Sequence, residues 1–259
     1  MRLLIAIPVH NEQKYVDRVL DEVLRYHDQI LVVDDGSTDA TPDLLARRTD
    51  VRVLTHRPNR GYGKSLIDAF AYADRAGYDW VVTMDCDEQH EPARIPDFVR
   101  AICADRWDLI SGSRYLAASG GDDLPPPDRR TVNMTITAAI NDLYPHLNLT
   151  DAFCGYKAHR VSAMRRLNLT EAGYAFPMQL WPQVVKAGLR VTEIPVRLIY
   201  NDPNRSFGGN LDDMQVRLNH YLDVLRREVA APLPAVADDA DEPDEVAAAA
   251  GECCGCGCK

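Results

Sequence analysis

No stretch of this 259-residue chain approaches the run of about 20 apolar residues that a membrane-spanning helix needs, so a helical membrane-spanning protein is excluded. The apolar run in the opening segment MRLLIAIPVHNE is too short for a secretory signal and lacks a small-residue cleavage site. A cytoplasmic protein is therefore expected. Positive charge is also in deficit, with 29 Lys and Arg against 39 Asp and Glu, a net −10. Residues 231–259 carry seven acids against Lys259 alone, which accounts for −6 and leaves −4 on the body. That balance excludes nucleic-acid binding through a broad basic face. Cysteine is sparse in the body. Cys86, Cys103 and Cys154 are scattered and are expected to be reduced and mostly buried. The other four, Cys253, Cys254, Cys256 and Cys258, lack the two-residue spacers of a zinc knuckle. They read as incidental or redox-active thiols in a disordered tail, with a soft-metal site as the alternative. No internal repeat is present. Length and a hydrophobic content of 46% suit one domain, residues 1–229, followed by a disordered acidic tail, 230–259.

What is present is a regular alternation of strand and helix signals. Apolar strands are expected at Leu3–Pro8, Ile30–Val33, Val51–Thr55, Trp80–Met84, Leu109–Ser111 and Arg190–Val196. Helices are expected after the first strand with Asn11 as N-cap, then over 42–48, 65–76, 95–104, 130–144, 160–167 and 176–187. Met214, Leu218, Tyr221, Leu222 and Leu225 mark an amphipathic closing helix. Residues 117–128 and 200–210 read as loops. Wholly apolar strands alternating with helices mean a mostly parallel sheet covered on both faces. Ligands bind such sheets beyond the carboxyl ends of the strands.

Asp34, Asp35, Asp85 and Asp87 all fall at those ends. The segment YDWVVTMDCDEQH closes a buried strand with two carboxylates one residue apart. Like charges so placed repel unless a cation sits between them. Magnesium or manganese, held by one or two carboxylates plus substrate phosphates, suits the pattern. The alternative is an acidic loop facing water. A P-loop is excluded, because its first glycine would fall at position 58, which is Pro58. The glycine-rich activation loop of a nucleotidyltransferase is absent near the N-terminus.

Seven ordered segments carry a family resemblance: IPVHNE (7–12), VVDDGSTDAT (32–41), NRGYGKS (59–65), DCDEQHEP (85–92), GSRY (112–115), DAFCGYK (151–157) and GYAF (173–176). Over residues 4 to about 200 the chain resembles glycosyltransferase family 2. Within it the chain is similar to the soluble, dolichol-phosphate mannose synthase-like branch, which uses polyprenyl-phosphate acceptors. The resemblance implies a GT-A (Rossmann-like) α/β fold and an inverting reaction. It also implies a nucleotide-sugar donor of the GDP-mannose or UDP-glucose type, Mg2+ or Mn2+, and a dolichyl or undecaprenyl phosphate met at the inner face of the membrane.

The same resemblance places Asp85, Asp87 and Gln89 around the metal, with Asp85 also near the donor. Pro8 offers backbone to a flat base, Glu12 a carboxylate to the ribose, and Asp34 and Asp35 further acceptors. Gly61 and Gly63 permit close backbone approach to a ligand, and Lys64 is a phosphate contact. His90 is a sugar contact or a plain loop residue. Arg114 and Arg129 are the candidates for gripping the acceptor phosphate, since a guanidinium fork bonds two phosphate oxygens. Arg130 is the neighbouring alternative, and Asn133 and Lys157 are supporting contacts. Asp87, Arg114, Arg129 and Asp151 form the catalytic set. Two positions depart from the family pattern: Gln179 where an acid is usual, and Arg205 with unusual neighbours in the gating segment. Both departures bear on the sugar and acceptor.

Hexose transfer to an anionic phosphate needs no general base. Transfer to a hydroxyl needs one, and Asp151 is the acid the motifs supply. A catalytically weak nucleotide-sugar-binding protein is the third reading. Val132, Ile136, Ala139 and Ile140 form either a membrane-docking face or core.

Overall fold

The computed structural model describes residues 1–116, 123, 125–200, 209–232 and 246–247. Arg205, most of the 117–128 loop and the four terminal cysteines lie outside the described residues.

Strand β1 (Leu3–Val9) is buried almost throughout and lies centrally between β2 (Ile30–Asp34) and β4 (Trp80–Thr83), parallel to both. β3 (Arg52–Thr55) extends the parallel set beyond β2. Helices α1 (Val16–Leu24), α2 (Thr41–Leu45) and α3 (Tyr62–Arg75) make the crossovers. Isoleucine, leucine and valine dominate these strands because both faces are covered. One face packs α1, α2 and α4 (Ile95–Cys103) through Val19, Leu20, Leu45 and Phe98. The other packs α3, α5 (Pro127–Leu143), α7 (Phe176–Lys186) and α8 (Met214–Ala230) through Phe70, Ile136, Trp181 and Tyr221.

The second half departs from simple alternation. β5 (Leu109–Ser113) does not pair with β4. Strand β6 (Lys157–Arg160) lies between them, antiparallel to both, and β7 (Val191–Pro195) runs parallel to β5 outside it. The two-residue β8 (Val246–Ala247) pairs with β3 at the opposite edge. The sheet order is therefore β7-β5-β6-β4-β1-β2-β3-β8. The sequence KAHR carries no apolar strand signal, yet three of its four residues are buried. Lys157 and His159 face one core, where the Lys157 ammonium sits 5.3 Å from the Trp181 ring centre and His159 packs at 4.7 Å from Phe70. Ala158 joins Tyr156 in the other core. The short helix α6 (Val161–Met164) follows directly.

Several expected details change. Tyr15, not Asn11, precedes α1. Asn11 sits at φ 58°, and its side-chain oxygen accepts from the amides of Thr38 (2.8 Å) and Asp39 (3.2 Å). It thereby clamps the 36–41 loop to the end of β1. Helix α3 starts three residues earlier than expected, immediately after Gly61 at φ 104°. Val132, Ile136 and Ile140 of α5 are buried in the core, so that face is not a docking surface. Cys86 and Cys154 are free and buried, but Cys103 is exposed and disulfide-bonded.

Gly61 and Gly63 serve the fold, since they let the start of α3 press against the 171–173 turn. A Cβ on Gly63 would lie 2.1 Å from the Glu171 carbonyl oxygen, and one on Gly61 2.3 Å from that of Ala172. Both obstacles are backbone, which cannot swing away. Gly63→Ala should cost about 1–3 kcal/mol of folding stability through overpacking. Denaturant midpoints compared with wild type read this directly.

Candidate functional site

At the carboxyl ends of β1, β2 and β4 the chain opens a cavity of about 790 Å3. The β1 end contributes Pro8 and Glu12, the β2 end Asp35, and the turn before α3 Asn59 and Gly61. The loop after β4 contributes Asp85, Asp87 and Gln89. Arg114 follows β5, Arg129 and Asn133 come from α5, and Arg217 and Tyr221 from α8. Tyr62, Tyr115, Tyr174 and Tyr200 complete the wall. Acids thus gather beneath the parallel strands, and three arginines lie among tyrosines on the side of α5 and α8.

The acidic part has its own supports. The Tyr62 hydroxyl donates to Asp85 Oδ1 at 3.1 Å. The Asp85 amide donates to His90 Nδ1 at 2.9 Å, and the His90 ring stacks 5.1 Å from Tyr156. His90 is buried and does not line the cavity, so it braces Asp85 rather than meeting a sugar. The Asp85 carboxylate lies against Gly155, where a Cβ would stand 2.7 Å from Oδ2 and 3.0 Å from Oδ1. A glycine in DAFCGYK is what gives that carboxylate its room. Among the described residues no trio of His, Cys, Asp or Glu is clustered to hold a cation by itself. Two carboxylates and an amide on one cavity wall instead fit a hard ion that takes its other ligands from bound phosphate and water. Gln89 would serve such an ion through Oε1, since its Nε2, buried and without a hydrogen-bond partner, can only donate.

The wall beneath β2 is held by a chain of buried charges. Asp35 accepts from the amides of Arg60 and Gly61, both at 2.8 Å. It also accepts from His56 Nδ1 at 2.7 Å, and His56 Nε2 donates to Asp68 at 2.8 Å. Lys64 Nζ closes the chain on Asp68, also at 2.8 Å. His56 has no exposed surface. Burial disfavours its imidazolium, but the Asp35 and Asp68 carboxylates outweigh burial and push its pKa to about 9. Burial likewise raises both aspartates, and their partners more than reverse that, so both sit below the usual carboxylate range.

On the arginine side, Asp151 is the hub. Arg114 grips it through Nε (2.6 Å) and Nη2 (2.9 Å), and the Asn133 amide donates at 2.8 Å. Asp151 is fully buried. Burial would raise its pKa, but the charge and fork of Arg114, with Asn133, bring it to about 2. Arg129 lies with its guanidinium carbon 5.9 Å from the Tyr200 ring centre. Arg217 is buried, bonded to Asp128 at 2.7 Å and to the Leu211 carbonyl at 2.6 Å.

The sequence-based candidates therefore divide. Pro8, Glu12, Asp35, Gly61, Asp85, Asp87, Gln89, Arg114, Arg129 and Asn133 share the cavity. Asp34, Lys64, Asp151 and Lys157 do not line it. Asp34 accepts from the Ser37 amide within its own turn, and Lys64 is spent on Asp68. Lys157 bonds the Cys154 carbonyl, and burial lowers its pKa. Gln179 is buried outside the cavity. It accepts from the amides of Thr170 and Glu171 and donates to Glu228 Oε1 at 3.0 Å. An acid there would meet another carboxylate, so this departure belongs to a strut between the 170–174 turn and α8, not to a sugar contact. The residues that sequence reasoning missed are His56, Asp68, Tyr62 and Arg217. Arg217 had one signal, since it precedes Tyr221 by four and Val224 by seven on the apolar stripe of α8.

The model of Glycosyl transferase family 2 matches residues 4–167. The chain is 30% identical over 236 residues to an undecaprenyl-phosphate mannosyltransferase of Micrococcus luteus, covering 85% of this chain and 94% of that one. It is 31% identical over 205 residues to a polyprenol monophosphomannose synthase of Mycolicibacterium smegmatis, covering 75% and 76%. Among solved structures, glucosyl-3-phosphoglycerate synthase from Mycobacterium tuberculosis, in complex with Mn2+, UDP and phosphoglyceric acid, superimposes with a TM-score of 0.68. That match covers 89% of this chain and 79% of the other at 20% identity, which shows a shared fold alone.

Two outcomes test this geometry. The folded pKa of His56, about 9, exceeds the ordinary 6.5. Its stabilising contribution, roughly 3 kcal/mol from that difference, is complete below pH of about 6.5 and is lost as pH rises through about 9. Denaturant midpoints measured from pH 6 to 10 should fall accordingly. Asp151→Asn leaves the Arg114 guanidinium without its counter-charge and should cost about 3–5 kcal/mol, read the same way.

Proposed function

The chain belongs to glycosyl transferase family 2 and is a glycosyltransferase, and from that membership we propose that it moves a hexose from a nucleotide sugar to a polyprenyl phosphate with inversion at the anomeric carbon. The observation that carries this reading is one cavity with carboxylates at one side and arginines among tyrosines at the other. The relatives' names supply the chemical classes: both act on polyprenyl-type phosphates and transfer mannose. The donor is of the GDP-mannose or UDP-glucose type.

In this reading Pro8, Glu12, Asp35 and Gly61 wall the base and ribose. Asp85, Asp87 and Gln89 would hold Mg2+ or Mn2+, a class of ion also present in the M. tuberculosis structure. When bound, the cation neutralises charge on the departing nucleoside diphosphate. Arg129 binds the acceptor phosphate together with Arg114, whose Nη1 takes no part in the Asp151 fork. Asn133 and Asp151 keep Arg114 in place. The acceptor oxygen, already anionic at neutral pH, forms the new bond to the anomeric carbon as the bond to the donor's diphosphate breaks. Alignment and cationic binding then carry the rate.

A hydroxyl acceptor is disfavoured on this geometry. Asp151, the base that route would use, is fully buried, lies outside the cavity wall and is bonded through both oxygens. No helix among the described residues is long and apolar enough to cross a membrane. The lipid acceptor would therefore be met at a surface.

Incubation with radiolabelled GDP-mannose or UDP-glucose, polyprenyl phosphate and Mn2+ should place label in the lipid-phosphate fraction. Label found only in water-soluble sugar or protein would refute the acceptor class. Chelation should stop transfer. Asp87→Asn and Arg129→Ala should each lower kcat/KM at least about 100-fold, as loss of a single electrostatic contact to a transition state does elsewhere.

A further inference from the structure

His56 is a fully buried, doubly bonded histidine to which nothing above assigns a role in the reaction. It does not line the cavity, and it bonds Asp35, which does. Asp35 spends both carboxylate oxygens on the turn before α3: Oδ1 on the Arg60 amide, Oδ2 on the Gly61 amide. That turn, with Asn59, forms one wall of the cavity. The groups facing the imidazole are Asp35 from the end of β2, and Asp68 with its partner Lys64 from α3. Two carboxylates and one ammonium leave a net negative charge that a cationic imidazole balances. A neutral ring can donate through only one of its two nitrogens, so one aspartate would lose its bond.

We propose that His56 is a positioning residue for the donor: as the cation between Asp35 and Asp68, it fixes the Asn59–Gly61 wall and thereby sets affinity for the nucleoside diphosphate part. The proposal rests on the reading of that wall as the donor's. The chain of contacts is short and has no slack. Without the imidazolium, Asp35 faces Asp68 across a buried gap with like charge and must turn or take up a proton. Turning frees the amides of Arg60 and Gly61, and protonation weakens their bonds to the carboxyl, so either change loosens the wall. Chemistry at the anomeric carbon lies on Asp87, Arg114 and Arg129, so the turnover rate is spared.

The test uses the full chain with His56→Gln and Asp68→Asn, titrated calorimetrically with GDP and UDP in the presence of Mn2+. Both variants should raise the Kd of the nucleotide that wild type binds, and the KM of its sugar donor, about tenfold, the scale of one charge-assisted hydrogen bond. The kcat should stay within about twofold, a split that a general loss of structure does not produce. A folded His56→Gln with wild-type Kd and KM overturns the proposal. So does a folded variant whose kcat falls as far as its kcat/KM.

Should both variants fail to fold, hydrogen exchange in the wild-type chain decides. Between pH 7 and pH 10, protection of the Arg60 and Gly61 amides should fall about tenfold relative to those of Ala6 and Ile7 in β1, as the imidazolium is lost. A constant ratio overturns the proposal. If wild type binds neither nucleotide, the donor reading itself fails. The exchange measurement then still reports whether His56 holds the wall.

Discussion

One buried carboxylate, Asp151, gathers most of what makes the arginine side of the cavity possible. It fixes Arg114 beyond β5 and Asn133 on α5, and it accepts from the amide of Phe153 in its own turn. Its own amide donates to Glu193 on β7, which also takes the amide and hydroxyl of Thr150. Four segments remote in sequence thus converge on one charge pair and its neighbours. A buried ion pair is a weak source of stability but a strong constraint on geometry, because each partner is costly to leave alone. Here the constraint is useful: a guanidinium with two nitrogens committed keeps one orientation beside the cavity.

Much of the fold was legible. Apolar strands alternating with helices announced a parallel sheet, and acids placed just past those strands announced where ligands would go. The motif residues Glu12, Asp35, Asp85 and Asp87 do meet in one cavity although they span some 75 positions. What sequence did not disclose has a common physical origin, namely polar side chains with buried partners. Strand β6 reads as KAHR because the Lys157 ammonium lies over the Trp181 ring and the His159 ring packs against Phe70. Propensity has nothing to say about such a strand. His56 and Asp68 are 12 positions apart and acquire meaning only when α3 folds back over β3.

Residues with two plausible duties were also hard to assign from a one-dimensional pattern. Lys64 follows a glycine in a loop that looks made for phosphate, yet its ammonium neutralises Asp68. The glycines of the same loop look made for a ligand's approach, yet backbone from the 171–173 turn occupies that space. Close approach is what these glycines allow, to the 171–173 backbone for both and also at the cavity wall for Gly61. Gln179 shows the same ambiguity: its amide is matched to Glu228 on α8, a partner about 50 residues away.

The place of β6 has a consequence for how such a chain is made. Strands β5 and β7 are joined to the earlier strands of the sheet through residues 157–160. During synthesis, β1 to β4 emerge with their mutual partners already at hand, whereas β5 must wait some 45 residues for the piece that seats it. The arginine half of the cavity therefore needs chain that leaves the ribosome well after the strands that carry the acids.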